Sequence, residues 1–422
     1  MMKYNKYILS MSFGNLHGGV GGVDKYVITQ QKNANENNIG YLYLFYVKKI
    51  IKNKMIGFRF GLILDGKYLG IYTANQIIKF LKVNKINIEV VYINHLLFAK
   101  LNEIDKILSF VNKKIYLILH DYYSCCSNYF LAKNYTYCNA NNLGDNPCLD
   151  CPKYEESLDK ESKIWTMLNK YKENLYFFSV SNCTKNIFLK FHTDIDSNRV
   201  IVVPNQNIII EKDDSKVLKN SKLKIAFLGN SNLYKGWDEF KTLVNKFKCN
   251  YDFYLFNSYG KIIDGAKTIN AKYDSKHING MVDFIKEENI DVVVLWAKWP
   301  ETFSYVACEA LASKCYMIAY KYSGNIVDII KNYKSGIIYD SFEDLLNDML
   351  NQEQFEKVVN EYRSSLNNIS IKNVDNANLI NGLNDQTTNT LEHKFKMPSN
   401  LIHPINCIFN IILKKKYNME DI

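Results

Sequence analysis

Two carboxylates eight residues apart, Glu301 and Glu309, lie in the stretch Asp291–Asn325, DVVVLWAKWPETFSYVACEALASKCYMIAYKYSGN. An apolar run, Asp291–Leu295, gives way there to a loop and then to a helical pattern opening near Thr302 or Phe303. Positions eight apart fall on nearly one helix face. A helix N-terminus also presents free N–H groups and the positive end of its dipole, which suits a phosphate. The pattern predicts a phosphate seat flanked by Glu301 for sugar hydroxyls and Glu309 for a ribose diol. The plainer alternative makes Glu301 a loop or capping residue and Glu309 a solvent-facing helix residue.

Other reactive types sit after strand-like runs. In Ile225–Trp237, IAFLGNSNLYKGW, Lys235 follows a turn opened by Gly229 and can neutralise a leaving diphosphate. A bare Lys235-Gly236 pair reads equally as a surface turn. His17–Val23, HGGVGGV, holds Gly18, Gly19, Gly21 and Gly22 just before a helix opening at Asp24, so backbone can approach a ligand closely. Its spacing is not that of a dinucleotide fingerprint. His95 in YINH and His120 in LILHD each end an apolar run, where ligands of parallel sheets collect. Asp121 beside His120 would orient that ring or cap the next segment. Cys126, Cys138, Cys148 and Cys151 follow in a loop rich in Asn, Gly and Pro, the last two as C-x-x-C. Two readings stand for them: a structural zinc pinning the loop, or plain buried thiols. Cys125 is a bystander.

The elements that must position these groups alternate. Strand patterns at 7–11, 40–47, 88–93, 115–119, 175–180 and 200–203 are separated by helical stretches such as 23–37 and 99–111. After a polar, charged linker near 205–221, strands follow at 223–228, 251–256, 291–295, 316–320 and 336–339. Such alternation predicts α/β units with parallel sheets. The expected organisation is a Rossmann-like unit over 1–204 with a cysteine loop at 121–152, and a second over 205–385. An Asn-rich stretch, 367–389, leads to a tail over 386–422 that is apolar around 405–413 and basic at 414–416, read as a docked helix or an interfacial anchor.

Pro300–Ala312, PETFSYVACEALA, with the strand 316–320 and Gly324, resembles the retaining family 4 glycosyltransferases. That resemblance implies the GT-B fold, two doubly wound domains facing across a cleft. It implies donor-sugar contact by Glu301, ribose binding by Glu309, and diphosphate held by the amides of Thr302, Phe303, Ser304 and Tyr305. It also implies that Lys235, Gly229 and Gly236 serve the leaving diphosphate, that the glycine loop reaches over the donor phosphates, and that His120 approaches the donor sugar. The chain departs from the family pattern at Asn230, where Arg is usual, at Ser304, where Gly is common, and at Lys314, where Gly usually precedes the next strand. Some bacterial glycosyltransferases also carry a segment similar to HDYY with spaced cysteines.

The net charge of +10 favours anionic partners, and from Tyr41 to Leu64 the basic Lys48, Lys49, Lys52, Lys54 and Arg59 meet no acidic residue before Asp65. That stretch reads as contact with an anionic membrane surface or as a solvated helix face. No nucleic-acid-binding signature is present. The N-terminus lacks a signal-peptide pattern and no apolar run reaches a bilayer's span, so a cytoplasmic, peripheral enzyme with reduced thiols is expected. The expected reaction moves a sugar from a nucleoside diphosphate sugar to a glycan or lipid-linked acceptor, in cell-surface polysaccharide or glycolipid synthesis, with His95 and Asp121 on the acceptor side and no metal required for transfer. The alternatives are a catalytically idle scaffold of the same fold and a sugar-nucleotide epimerase or hydrolase.

Overall fold

A computed structural model describes residues 4–14, 21–51, 54–256, 261–271 and 280–376. The first unit is a sheet of β1 (Tyr7–Ser12), β2 (Gly40–Ile51), β3 (Lys54–Leu64), β4 (Lys67–Tyr72), β5 (Ile88–Ile93), β6 (Lys114–Leu119), β7 (Leu175–Ser179) and β8 (Val200–Val202). Its order is β8-β7-β6-β5-β1-β2-β3-β4, parallel from β8 through β2, with β3 and β4 added antiparallel. Every residue of β1 is buried, as a central strand covered on both faces requires.

β9 (Gln206–Lys212) leaves the first unit. The second sheet comprises β10 (Lys224–Leu228), β11 (Asp252–Phe256), β12 (Ala266–Ile269), β13 (Val292–Leu295), β14 (Tyr316–Tyr320) and β15 (Gly336–Tyr339). Its order, β12-β11-β10-β13-β14-β15, is parallel throughout. This is the doubly wound arrangement in which strand order reverses between β10 and β13, the point where ligands bind. In the first sheet the reversal falls between β1 and β5.

Three expectations are corrected here. The linker near 205–221 is not wholly irregular, because β9 pairs antiparallel with β16 (Ile369–Asp375), from Gln206 opposite Asp375 to Lys212 opposite Ile369. Part of the Asn-rich stretch is therefore strand. The basic segment 41–64 is a two-stranded hairpin rather than a helix face, with Phe58, Phe60, Leu62 and Leu64 alternating into the core. The helix after β13 starts at Tyr305, not at Thr302 or Phe303, because Ser304 is its N-cap and accepts the Ala307 N–H at 3.3 Å. Glu301 thus lies in the loop, and helix periodicity does not relate it to Glu309. The tail 386–422 lies outside the described residues. Among the described residues no helix is long and apolar enough to cross a membrane.

Candidate functional site

The loops after β10 and β13 meet at the second unit's reversal point. Lys235 ends a short 3-10 turn, Leu233–Lys235, and Gly236 follows at φ +78°, where a Cβ would fall 2.5 Å from the Trp296 carbonyl oxygen. Only a glycine lets the turn pack so closely on the β13 loop. The Lys235 Nζ is consequently 3.2 Å from the Glu301 Oε1. Glu301 is 4 % exposed, and its backbone is bracketed from behind by Gly324, whose φ is +62°. The Asn325 N–H donates to the Glu301 carbonyl at 2.8 Å, and the Asn325 side-chain oxygen accepts the Ser304 N–H at 3.4 Å.

Glu309, one turn into the helix Tyr305–Ala312, is 8 % exposed, which removes the solvent-facing alternative. Its carboxylate has no hydrogen bond or ion pair among the described residues. Burial pushes its pKa up, the charges of Lys25 and Lys235 pull it down, and Asp375 adds to the rise. The amides of Thr302, Phe303, Tyr305 and Val306 likewise have no partner among the described residues. A nearly buried carboxylate without a donor among the described residues, beside open helix-end amides, has the chemistry to take hydroxyls on one side and negative charge on the other.

The first unit closes on this loop. Thr302 Oγ1 donates to the His120 carbonyl at 2.5 Å, and Thr184 Oγ1 donates to the Thr302 carbonyl at 3.2 Å. Gly22 lies against Tyr305, whose hydroxyl is 3.5 Å from its carbonyl oxygen. Gly21 is the N-cap of the helix Gly22–Glu36, and Lys25 on that helix sits 4.6 Å above the Tyr305 ring and 3.2 Å from Asp375. Gly18 and Gly19 lie outside the described residues. Phe303 packs edge-on against Tyr305 at 5.2 Å. Gly229 begins the β10 loop in left-handed conformation, whereas Asn230 is exposed and brings no cation.

His120 Nε2 is 3.2 Å from the Asn94 side-chain oxygen, so its proton sits on that nitrogen. Burial and the neighbouring His95 lower its pKa to about 3, against an opposing pull from Asp121, leaving the ring neutral at pH 7. Asp121 does not orient His120. It accepts from His95 Nε2 at 2.8 Å, and the Leu97 N–H donates to His95 Nδ1 at 2.8 Å, which fixes that ring's tautomer. Burial raises the Asp121 pKa, but the neighbouring His95 ring, with its hydrogen bond, outweighs it and holds the carboxyl below its ordinary value. The reason is geometric: Asp121 is two residues beyond the end of β6 and turns toward His95, two residues beyond the end of β5. Asn94 and Lys25 were not singled out by sequence, although Asn94 directly follows β5 in the same YINH run.

Cys126 Sγ is 3.4 Å from the Ser157 hydroxyl, and Cys148 Sγ donates to the Asn142 carbonyl at 3.7 Å. Burial first, and neighbouring thiols second, raise the pKa values of Cys138 and Cys148. Among the described residues no group of three Cys, His, Asp or Glu side chains is arranged to hold a metal ion.

Residues 209–365 match the family model described as glycosyl transferases group 1. No curated protein matches the chain significantly. Among solved structures, TarM aligns at 10% identity over 86% of this chain and 94% of its own, with a TM-score of 0.51. The sucrose-phosphate synthase of Thermosynechococcus elongatus aligns at 12% identity over 86% of this chain and 95% of its own, with a TM-score of 0.50. The chain therefore has the GT-B fold, and residues 209–365 of its second unit resemble glycosyl transferases group 1.

Proposed function

We propose that this chain is a retaining glycosyltransferase that takes a nucleoside diphosphate sugar and delivers the sugar to a hydroxyl of a glycan or lipid-linked acceptor. The observation that carries the reading is Glu309, a nearly buried carboxylate left without a partner beside the open amides of Thr302, Phe303, Tyr305 and Val306. A ribose diol donates two hydrogen bonds to such a group, and the amides receive the diphosphate. Glu301 faces the sugar hydroxyls while Lys235 offsets charge on the diphosphate as the anomeric C–O bond breaks. The acceptor oxygen bonds to the anomeric carbon on the face the diphosphate leaves and gives its proton to the departing diphosphate oxygen, so configuration is retained. Neutral His120 approaches the sugar from the first unit, with His95 and Asp121 on the acceptor side.

The first unit, 1–204, then holds acceptor, the second, 205–385, holds donor, and transfer needs no metal. A role in cell-surface polysaccharide or glycolipid synthesis, at the inner face of a membrane, fits the basic hairpin 48–59. A zinc on Cys126, Cys138, Cys148 and Cys151 would only pin a loop, and metal content of protein purified without a histidine tag decides its presence.

The test is incubation with candidate sugar nucleotides, measuring free nucleoside diphosphate with and without a lipid-linked glycan. Acceptor-dependent release is expected, and Glu309→Ala is expected to weaken nucleotide binding at least thirtyfold, about 2 kcal/mol for lost hydrogen bonds to a charged group. Exposed Asn230 favours a second reading, an idle scaffold lacking half the usual cationic clamp. That reading is supported by nucleotide binding without release, and absence of binding unaffected by Glu309→Ala sinks the transferase.

A further inference from the structure

The helix Tyr305–Ala312 begins at the donor residues, and its other end opens on a separate cavity roughly 12 Å further along. The cavity, of about 240 Å³, is walled by Asp213 and 215–218 of the linker, by Ile285, Lys286, Asn289 and Ile290, by Ser313 and Lys314, by Arg363, and by Ser370 and Ile371 of β16. Lys235, Glu301 and Glu309 are not among its lining residues.

Lys314 sits there at a conformational cost. The Cys315 N–H donates to the Ala310 carbonyl and the Lys314 N–H to the Leu311 carbonyl, each at 3.0 Å, which is the helix-ending motif that favours glycine at position 314. The chain instead places a lysine there at φ +60°, a left-handed backbone costing about 1 kcal/mol in a residue with a Cβ. The residue is 9 % exposed, and its ammonium donates only to neutral oxygens, Ser215 Oγ at 2.9 Å and the Leu366 carbonyl at 3.0 Å. Burial and the Lys286 charge both hold its pKa down, with Asp213 opposing them.

The rest of the wall is also short of negative charge. Neither the Lys216 nor the Lys286 ammonium has an ion pair or hydrogen bond among the described residues. Arg363, 5 % exposed, is paired with Asp291 and donates to the Asn289 side-chain oxygen at 2.9 Å, and its Nε has no acceptor. Three lysines against the single lining carboxylate without its own cation, Asp213, leave two positive charges uncompensated. That is the charge of a phosphomonoester above its second pKa, near 6. The volume exceeds the ~30 Å³ of one water severalfold, leaving room for a small organic body beyond the phosphate.

We infer that this cavity is a second anion site, which takes a phosphate-bearing small molecule on Lys216, Lys286, Lys314 and the Arg363 Nε, apart from the donor seat. The inference is independent of the transfer chemistry, since no donor residue contributes to the cavity.

Calorimetric titration of the whole chain with inorganic phosphate and inorganic pyrophosphate, at constant ionic strength set by sodium chloride, tests it. The double variant Lys216→Ala/Lys286→Ala changes two exposed side chains, and circular dichroism checks that it stays folded. It is expected to bind phosphate at least tenfold more weakly, Lys286→Arg to bind within twofold of the parent, and Lys235→Ala to leave phosphate affinity within twofold. No measurable binding at millimolar phosphate overturns the inference. So does binding that Lys235→Ala abolishes and the double variant leaves unchanged, because the anion then sits at the donor seat.

Discussion

His120 is held neutral by its surroundings, and that has a measurable consequence. In the unfolded chain a histidine takes up its proton near pH 6.5, whereas burial beside His95 delays protonation of folded His120 to about pH 3. Below pH 6.5 the unfolded state therefore binds the extra proton, and the contribution of this group to stability is lost as pH falls. The loss approaches 1.4 kcal/mol per pH unit, or about 2 kcal/mol by pH 5. Replacing His120 by Phe removes that titration, so the stability gap between parent and His120→Phe should shrink by about that amount between pH 7 and pH 5. Urea unfolding at pH 7, 6 and 5 measures it, and a gap constant across the three sets the assignment aside. Which residues gather at the strand ends was readable from sequence: His95, His120, Lys235 and Glu301 all follow apolar runs. Their partners were not. Whether Asp121 meets His120 or His95 depends on how one side chain turns beyond the end of β6, and no spacing rule encodes that direction.

At the scale of elements, the β13 loop is shaped from behind. Gly324 adopts φ +62°, and a Cβ there would come within 2.5 Å of the Glu301 nitrogen and oxygen and of the Pro300 carbonyl carbon. These are backbone atoms, so relief requires moving the loop that carries Glu301. Gly324→Ala is expected to cost roughly 2–4 kcal/mol of stability and to lower turnover at least tenfold. Gly66→Ala is the control: also left-handed, at φ +85°, it faces only the flexible end of Gln31 at 3.1 Å and should cost about 1 kcal/mol without touching turnover. Thermal unfolding and nucleoside diphosphate release read both. Equal effects from the two would mean that the contact with Glu301 is immaterial. The parallel strands were legible because each is a short apolar run bounded by turns. β3 carries the period-two signal of Phe58, Phe60, Leu62 and Leu64, but its lysine-rich surroundings mask it. β9 and β16 are mostly exposed and polar, and they become strands only by pairing across more than 150 residues, which local pattern does not report.

The two units communicate at a few polar and aromatic contacts on either side of the donor loop. From the first unit the cysteine-bearing loop crosses over: Phe130 stacks on Tyr234 at 4.4 Å, next to Lys235, and the Tyr137 N–H donates to the Lys298 carbonyl at 2.7 Å. On the other side, the Thr302 hydroxyl donates to the His120 carbonyl at 2.5 Å. Glu301, Glu309 and Lys235 all belong to the second unit, so the proposed donor seat places nucleotide affinity chiefly there. The proposed transfer additionally uses His120, which the first unit carries. Thr302→Val keeps the shape of the side chain and its amide while deleting the hydroxyl. Loss of one hydrogen bond of about 1–2 kcal/mol from the alignment of the two units should lower kcat roughly five- to thirtyfold and leave nucleotide affinity within twofold. A purely local role for Thr302 in the phosphate seat gives a different pattern, in which affinity and kcat fall together. Steady-state kinetics beside direct nucleotide titration separates the two, because only a contact that positions one unit on the other can slow transfer without loosening the donor.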